Sequence, residues 1–207
     1  MRYPTSPAEQ LRGFELLSRA LELGHTFSMN ALGLYFLDEG GAHYDPKRGL
    51  RYLQGSAARK DIYGIANMGF VAVNGIAGER KDPDLARSLF EQAAAGGHPT
   101  APTSLGRLYI SGELQGGTDA AQAVKWYDEG LARGDSWGGA NAAWVIANRA
   151  PAGFAVHEAA VRAAKSATLR NPEARKAALD VLAGLSGSAL DGGSQALMRD
   201  LGVDIEI

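Results

Sequence analysis

The sequence predicts an all-α fold built as an array of helical hairpins, because several residue series recur at one spacing. Small residues recur in steps of 36 or 37 at Gly33, Gly69, Gly106 and Ala143. Aspartates recur in steps of 37 at Asp45, Asp82 and Asp119. In the same register lie the small residues Gly49, Ala86, Ala123 and Ala160 and the bulky residues Leu16, Leu53, Phe90 and Tyr127. A fixed period of this length is typical of arrays in which each repeat is one pair of helices.

The first predicted helix, residues 7–23, begins at a capping box. Ser6 has the side chain of an N-cap residue, and Pro7 occupies the first helical position, where its missing N–H costs nothing. Glu9 follows at the spacing from which a carboxylate can accept a hydrogen bond from the N-cap backbone.

The second helix of each hairpin has a start signal of its own. Asp45 and Asp82 each precede a proline, which favours an N-cap followed by a first helical turn. Asp119 and Gln122 have capping-box spacing. A glycine in a left-handed turn is expected to end the first helix at Gly24 and two hairpins at Gly97 and Gly134. Lys60 has to adopt the same conformation although it is not a glycine.

These signals predict helices over 7–23, 27–38, 46–60, 64–74, 83–96, 102–111, 120–133, 138–149, 154–169, 172–185 and 194–201. The tail 203–207 is expected either to pair as a short strand or to fray. We expect a single repeat domain over 1–207. It would comprise an N-terminal helix (6–26), repeats at 27–63, 64–99 and 100–136, a degenerate repeat at 137–171, and capping helices with the tail at 172–207.

The small residues are expected where helices approach closely. A glycine inside a helix costs about 0.5–1 kcal/mol relative to alanine, so a glycine that recurs indicates a site without room for a β-carbon. The aromatic residues are predicted to fill the spaces between successive hairpins. They are Tyr52, Phe90, Trp126 and Tyr127.

One family shares this pattern. Residues 104–112, SLGRLYISG, followed by 119–135, DAAQAVKWYDEGLARGD, form the fullest copy of a motif that 82–98 and 45–61 repeat in part. The motif resembles the Sel-one-like repeat, a relative of the tetratricopeptide repeat, over about residues 10–170. The copies depart from it at an extra residue before Gly40, at Ala72 in place of the tyrosine, and in the fourth copy, which lacks both glycines.

The resemblance implies a right-handed α/α superhelical solenoid of about four to five helix-turn-helix repeats with capping helices. It also implies a protein-protein interaction module that serves as an adaptor or scaffold in bacterial envelope, signalling or virulence systems. An immunity or inhibitor protein of a secreted toxin is one form of this function, since a concave, mildly acidic surface suits the blocking of an active site.

Composition excludes several classes of partner. The net charge of −2, from 21 basic and 23 acidic residues, gives no overall field for nucleic acid or an anionic membrane. The absence of cysteine excludes disulfides, thiol nucleophiles and thiolate metal sites. Residues 1–10 have no apolar run after Arg2 and no later stretch is long and apolar, so we expect neither a secretory signal nor a membrane-spanning segment in the sequence as given. We therefore expect a soluble protein of the bacterial cytoplasm or periplasm, or a fragment of a longer one.

The partner-binding candidates lie on the first helix of each hairpin, which lines the inner face of such an array. They recur two positions before, one after and five after the small marker residue, so that each set shares a helix face. They are Asn67, Phe70, Asn74, Arg107, Asn141, Trp144 and Asn148. Carboxamides can bond a partner's backbone and aromatic residues can anchor it. Alternatively, the asparagines bridge neighbouring hairpins and the aromatic residues belong to the core.

No motif predicts catalysis, a metal or a cofactor. The four histidines lack metal-ligand spacing, and the glycine-rich residues 112–121 precede a helix without the lysine of a phosphate loop. The adjacent carboxylates Asp128 and Glu129 face apart on a helix and are expected to be solvated. We therefore predict a non-enzymatic protein, with a cell-envelope hydrolase or a structural segment of a larger enzyme as the alternatives.

Overall fold

A computed structural model of the chain describes residues 6–25, 27–41 and 43–185, together with Ala196 and Arg199. Over these residues the chain forms ten α-helices and one short 3-10 helix and contains no β-strand. The all-α prediction is confirmed. Apart from Ala196 and Arg199, which are both helical, the predicted helix over 194–201 and the tail 203–207 lie outside the described residues.

The helices are α1 (Pro7–Glu22), α2 (Phe27–Leu37), α3 (Pro46–Ala58), α4 (Ile62–Asn74), α5 (Pro83–Ala95), α6 (Ala101–Ser111), α7 (Ala120–Ala132), α8 (Ser136–Arg149), α9 (Val156–Ala167) and α10 (Pro172–Gly184). The 3-10 helix, Ile76–Gly78, follows α4. Up to residue 185, the predicted boundaries agree with these to within two residues at each end.

The first helix begins as its capping box predicts. The Ser6 hydroxyl accepts a hydrogen bond from the Glu9 backbone N–H at 3.3 Å, and Glu9 Oε2 accepts one from the Ser6 N–H at 2.7 Å. The bond from the Ser6 N–H, and then a 3.0 Å bond that the Ser6 hydroxyl donates to Glu9 Oε2, lower the pKa of the Glu9 carboxyl below its usual value, because they favour the charged form.

Each second helix begins at the predicted aspartate. The side chains of Asp45, Asp82 and Asp119 accept the backbone N–H three residues on, at 3.0, 2.9 and 2.9 Å. Their own backbone N–H groups donate to a carbonyl oxygen of the preceding helix, at 2.9, 2.8 and 2.9 Å. The three hairpin loops therefore close in the same way. Within the described contacts, Gln122 does not return the reciprocal bond that its spacing from Asp119 predicted.

The turns between hairpins are left-handed, as predicted. Gly24, Gly97 and Gly134 have φ values of 90°, 91° and 87°. Lys60 occupies the equivalent position with a φ of 61°, a conformation that disfavours residues with a β-carbon.

The chain divides into two compact units, Met1–His98 and Pro99–Ile207. In the first unit α1 packs on α2, α2 on α3, α3 on α4 and α4 on α5. In the second, α6 packs on α7, α7 on α8, α8 on α9 and α9 on α10, while α10 also reaches α8. Each unit is a stack of consecutive helices, which is the packing of an α-solenoid.

The glycine series and the bulky series meet inside each hairpin. A β-carbon at Gly69 would lie 2.7 Å from Phe90 Cε1, and one at Gly106 would lie 2.5 Å from Tyr127 Cδ1. A β-carbon at Gly33 would likewise lie 2.6 Å from Leu53 Cδ2. The prediction that these positions have no room for a β-carbon is confirmed.

The predicted position of the aromatic residues between successive hairpins needs correction. Phe90 and Tyr127, each 2% exposed, instead fill the hollow that a glycine leaves on the first helix of the same hairpin. Tyr52 likewise stacks on Phe36 of its own hairpin, with 5.7 Å between ring centroids. Trp126 is only half-buried.

The bulky series also fails at its first member. Leu16 is 62% exposed, whereas the equivalent residues of the later helices are buried. The reason is that α1 has no hairpin partner of its own and packs against α2 on one side.

Successive hairpins meet at a second set of small residues. A β-carbon at Gly138 on α8 would lie 2.5 Å from the carbonyl oxygen of Tyr127 and 2.6 Å from the Leu131 nitrogen, both on α7. In the first unit, a β-carbon at Gly64 on α4 would lie equally close to the side chain of Ser56 on α3. The Ser56 hydroxyl donates a 2.7 Å hydrogen bond to Asp61, so the polar atom at this contact is satisfied.

Candidate partner-binding surface

The first helices expose large side chains at the position that follows the small marker residue. Leu34 is 46% exposed, Phe70 37% and Trp144 45%, and Arg107 is also exposed. The neighbouring apolar positions on these helices, such as Leu32 and Leu105, are fully buried. Each first helix therefore combines a core face with a large side chain at this position that is accessible from outside.

Phe70 and Trp144 have the same local geometry in the two units. The Asn74 side chain donates to the Phe70 carbonyl oxygen at 2.9 Å, and the Asn148 side chain donates to the Trp144 carbonyl oxygen at 2.9 Å. Both asparagines are exposed. Each aromatic ring is thus accompanied by a carboxamide that is held on the same helix face, one turn further along.

The two remaining candidate asparagines differ from each other. Asn67 Nδ2 donates to Oδ1 of Asn30 at 2.7 Å, which joins α4 to α2. Asn30 is 5% exposed, so this amide pair is largely removed from water. Asn67 therefore bridges neighbouring hairpins, which is the alternative that the sequence left open. Asn141 is half-buried on α8.

Trp144 and Asn148 line an open groove of about 460 Å³ in the second unit. The groove is also lined by Ala147 on α8. The rest of its lining belongs to α10 and the residue after it, namely Ala177, Asp180, Val181, Gly184 and Leu185. The groove thus joins an exposed indole to small and aliphatic side chains, with Asn148 and Asp180 as its polar groups. Such a combination can bind an apolar side chain and orient the backbone that carries it.

Sequence reasoning missed the α10 wall of this groove. The repeat pattern identifies Trp144 and Asn148 but has no counterpart for α10, which lies beyond the repeats. The available signal was Asn171-Pro172, which places the start of α10, but nothing local indicates that α10 packs against α8 as well as α9.

Asp128 and Glu129, which were predicted to be solvated, each form an ion pair with an arginine, while their side chains remain 37% and 47% exposed. Arg162 on α9 donates two hydrogen bonds to Asp128 on α7, at 2.7 and 2.8 Å, and one to Glu158 at 2.9 Å. The Ala155 N–H, and then Arg162, hold the pKa of Glu158 below its usual value. Glu129 faces elsewhere and pairs with Arg133 at 2.9 Å. Asp128 therefore joins α7 to α9 through Arg162, whereas the Glu158 and Glu129 pairs each connect residues four positions apart along the chain.

Two further findings concern the described part of the chain. No group of three or more histidine, aspartate or glutamate side chains is placed there to hold a metal ion. None of the helices described is both long and apolar enough to span a membrane.

Comparisons with known proteins agree with this architecture. The model of the Sel1 repeat family matches residues 6–25, 26–61, 62–98 and 103–135. Among solved structures, the chain is similar to a Sel1 repeat protein from Oxalobacter formigenes, with 20% identity and a TM-score of 0.66 over 98% of this chain and 87% of the other.

Two other structures share the fold. One is a protective antigen present in uropathogenic Escherichia coli strains and displaying an SLR fold, with 23% identity and a TM-score of 0.59 over 93% of this chain and 45% of the other. The second is an immunity protein from Pseudomonas aeruginosa, with 21% identity and a TM-score of 0.55 over 94% of this chain and 74% of the other. A search of curated proteins finds no match to the chain.

Proposed function

The chain belongs to the Sel1 repeat family, and from this premise we propose that it is a non-enzymatic module that binds a partner protein through the groove between α8 and α10. Sel1 repeat proteins are protein-interaction modules, and the family is typically a non-catalytic scaffold. A protein partner is therefore the occupant that the family favours, and the groove is the part of this chain that suits it.

The exposed indole of Trp144 carries the proposal. Trp144 is 45% exposed and lines the groove, so its indole is accessible to a partner. Tryptophan is also among the residues that contribute most to binding energy at protein interfaces. Asn148 and Asp180 add hydrogen-bonding groups at the rim, which give the groove a preferred orientation for a bound segment.

We further propose that the partner is a secreted toxin and that the chain acts as its immunity protein. The similarity to the Pseudomonas aeruginosa immunity protein supports this version. A stack of rigid helices also loses little conformational entropy when it covers an active site, which favours tight inhibition. Co-expression of the chain with the toxin should restore growth of the host cell, and failure of the chain to protect would contradict this version alone.

Replacing Trp144 by alanine is expected to weaken partner binding about tenfold or more, because the substitution removes the anchor from the groove. Affinity purification from the source cells, followed by mass spectrometry, identifies the partner. Calorimetric titration of the purified partner then gives the affinities of the wild-type chain and the variant.

The matched control is Leu85→Ala. Leu85 is 49% exposed on α5, so this variant also removes an exposed apolar side chain, but one that does not line the groove. We expect it to bind like the wild type. Unchanged affinity of a folded Trp144→Ala variant would contradict the proposed site.

A further inference from the structure

The exposed side of α3, in the first unit, differs in charge from the other second helices. Residues 46–60 contain five basic side chains and no acidic one. The basic residues are Lys47, Arg48, Arg51, Arg59 and Lys60. The equivalent stretches 83–97 and 120–134 each mix acidic and basic residues. The positive charge of α3 is therefore local, in a chain whose net charge is −2.

Aromatic rings hold one of these arginines in place. The Arg48 guanidinium lies 4.2 Å from the ring centroid of Phe36, and 5.8 and 6.0 Å from those of Phe14 and Tyr52. Contacts of this kind attract the cation to the ring faces and restrict its motion. They use none of its N–H donors, and no described carboxylate forms an ion pair with Arg48 or Arg51. The Arg48 guanidinium is thus held in position by the rings, and within the described contacts its N–H groups donate no hydrogen bond.

Arg48, Arg51, Tyr52 and Met29 line an open pocket of about 270 Å³. Directly after α3, Arg59 Nη1 lies 3.2 Å from the Met29 sulfur and donates to the Gly55 carbonyl oxygen at 3.1 Å. The pocket is therefore lined by two guanidinium groups, a thioether and a phenol ring. A guanidinium forms its best hydrogen bonds with planar anions, and a carboxylate can accept two of them.

We propose that this arginine pocket receives an acidic segment of the partner protein, with one aspartate or glutamate carboxylate bound by Arg48 and Arg51. The inference deepens the proposed function and rests on it. Met29 and Tyr52 would then contact the methylene groups or an apolar neighbour of that acidic residue.

Charge distribution favours an acidic protein segment over nucleic acid. A phosphate backbone needs a long positive track, whereas α3 is bounded by Asp45 at its start and Asp61 at its end. The site is thus short, and its partly apolar lining suits a side chain better than a chain of phosphates.

Fluorescence anisotropy tests the proposal with a short fluorescein-labelled peptide rich in aspartate and glutamate. Its neutral counterpart has asparagine and glutamine at the same positions. We expect the acidic peptide to bind and the neutral one not to, and added NaCl to weaken the binding. Arg48→Gln and Arg51→Gln should each weaken it about tenfold, since each removes charge-assisted hydrogen bonds.

The matched control is Arg170→Gln/Arg175→Gln, which removes two positive charges from exposed residues of the second unit. This control should bind the acidic peptide like the wild type. Arg51 is exposed, so Arg51→Gln tests the pocket even where Arg48→Gln alters the packing of the rings. Equal binding of both peptides, unchanged binding by Arg51→Gln, or tighter binding of an RNA oligonucleotide through the same arginines would overturn the inference.

The two proposals fail separately. Trp144→Ala should bind the acidic peptide like the wild type, because Trp144 does not line the arginine pocket. If Trp144→Ala abolishes partner binding while Arg48→Gln and Arg51→Gln leave the acidic peptide unaffected, only the arginine pocket is wrong. If the acidic peptide binds as expected but Trp144→Ala retains full partner affinity, only the groove is wrong.

Discussion

Replacing Phe90 by alanine is expected to lower the free energy of unfolding by about 3–5 kcal/mol, the range for emptying a large buried aromatic site. Phe90 is 2% exposed and fills the hollow at Gly69. The three atoms nearest to a β-carbon placed at Gly69 all belong to the Phe90 ring. Its ring also packs edge-on against Phe70, with 5.2 Å between centroids. The backbone of α4 cannot refill this space, because Gly69 has no side chain to move into it.

Urea unfolding followed by circular dichroism measures this loss. Leu85→Ala, on the same helix, is the control, because Leu85 is 49% exposed and its truncation should change stability by about 0.5 kcal/mol or less. An unfolding midpoint of Phe90→Ala equal to that of the control would show that Phe90 does not close the hairpin.

The sequence alone would have directed this experiment to Trp126. Both residues belong to the aromatic set of the second helices, and tryptophan is the larger. Trp126 is only half-buried, however, whereas its neighbour Tyr127 is 2% exposed and meets Gly106. Helical periodicity shows that adjacent positions point in different directions, but the contact with a glycine on another helix decides which of them is enclosed.

Local features of the fold were predictable because their physics is local. The aspartate caps, the capping box at Ser6 and the left-handed Lys60 each depend on residues within a few positions along the chain. The glycine series also predicted positions without room for a β-carbon, but not their partners, because the aromatic residues were expected between successive hairpins and instead fill these hollows within each hairpin.

Contacts between hairpins were harder to predict, although part of the signal was present. Small residues also recur at Ser56, Ala93 and Gly130 and at Gly64, Ala101 and Gly138, in steps of 37. Asn67 bonds to Asn30, which lies one step of 37 earlier, whereas Arg162 and its partner Asp128 are 34 residues apart and do not follow that step. The same holds for the binding groove, where the repeat pattern supplied Trp144 and Asn148 but the packing of α10 on α8 completed the wall.

The contact between successive hairpins gives the second large prediction. Replacing Gly138 by alanine is expected to lower the free energy of unfolding by about 2 kcal/mol, the net of overpacking and a gain in helix propensity. The new β-carbon would meet backbone atoms of α7, at 2.5 Å from the Tyr127 carbonyl oxygen and 2.6 Å from the Leu131 nitrogen. Backbone atoms cannot rotate aside as a side chain can, so α7 and α8 would have to separate.

Gly13→Ala is the control, because it makes the same chemical change on α1, where a β-carbon would meet nothing within 4 Å. This variant should instead gain about 0.5–1 kcal/mol, since alanine favours the helix and no neighbour opposes it. Thermal and urea unfolding should therefore shift in opposite directions for the two variants. A shift of Gly138→Ala in the same direction as Gly13→Ala would mean that α7 and α8 tolerate separation, and that small residues at this crossing do not determine how successive hairpins pack.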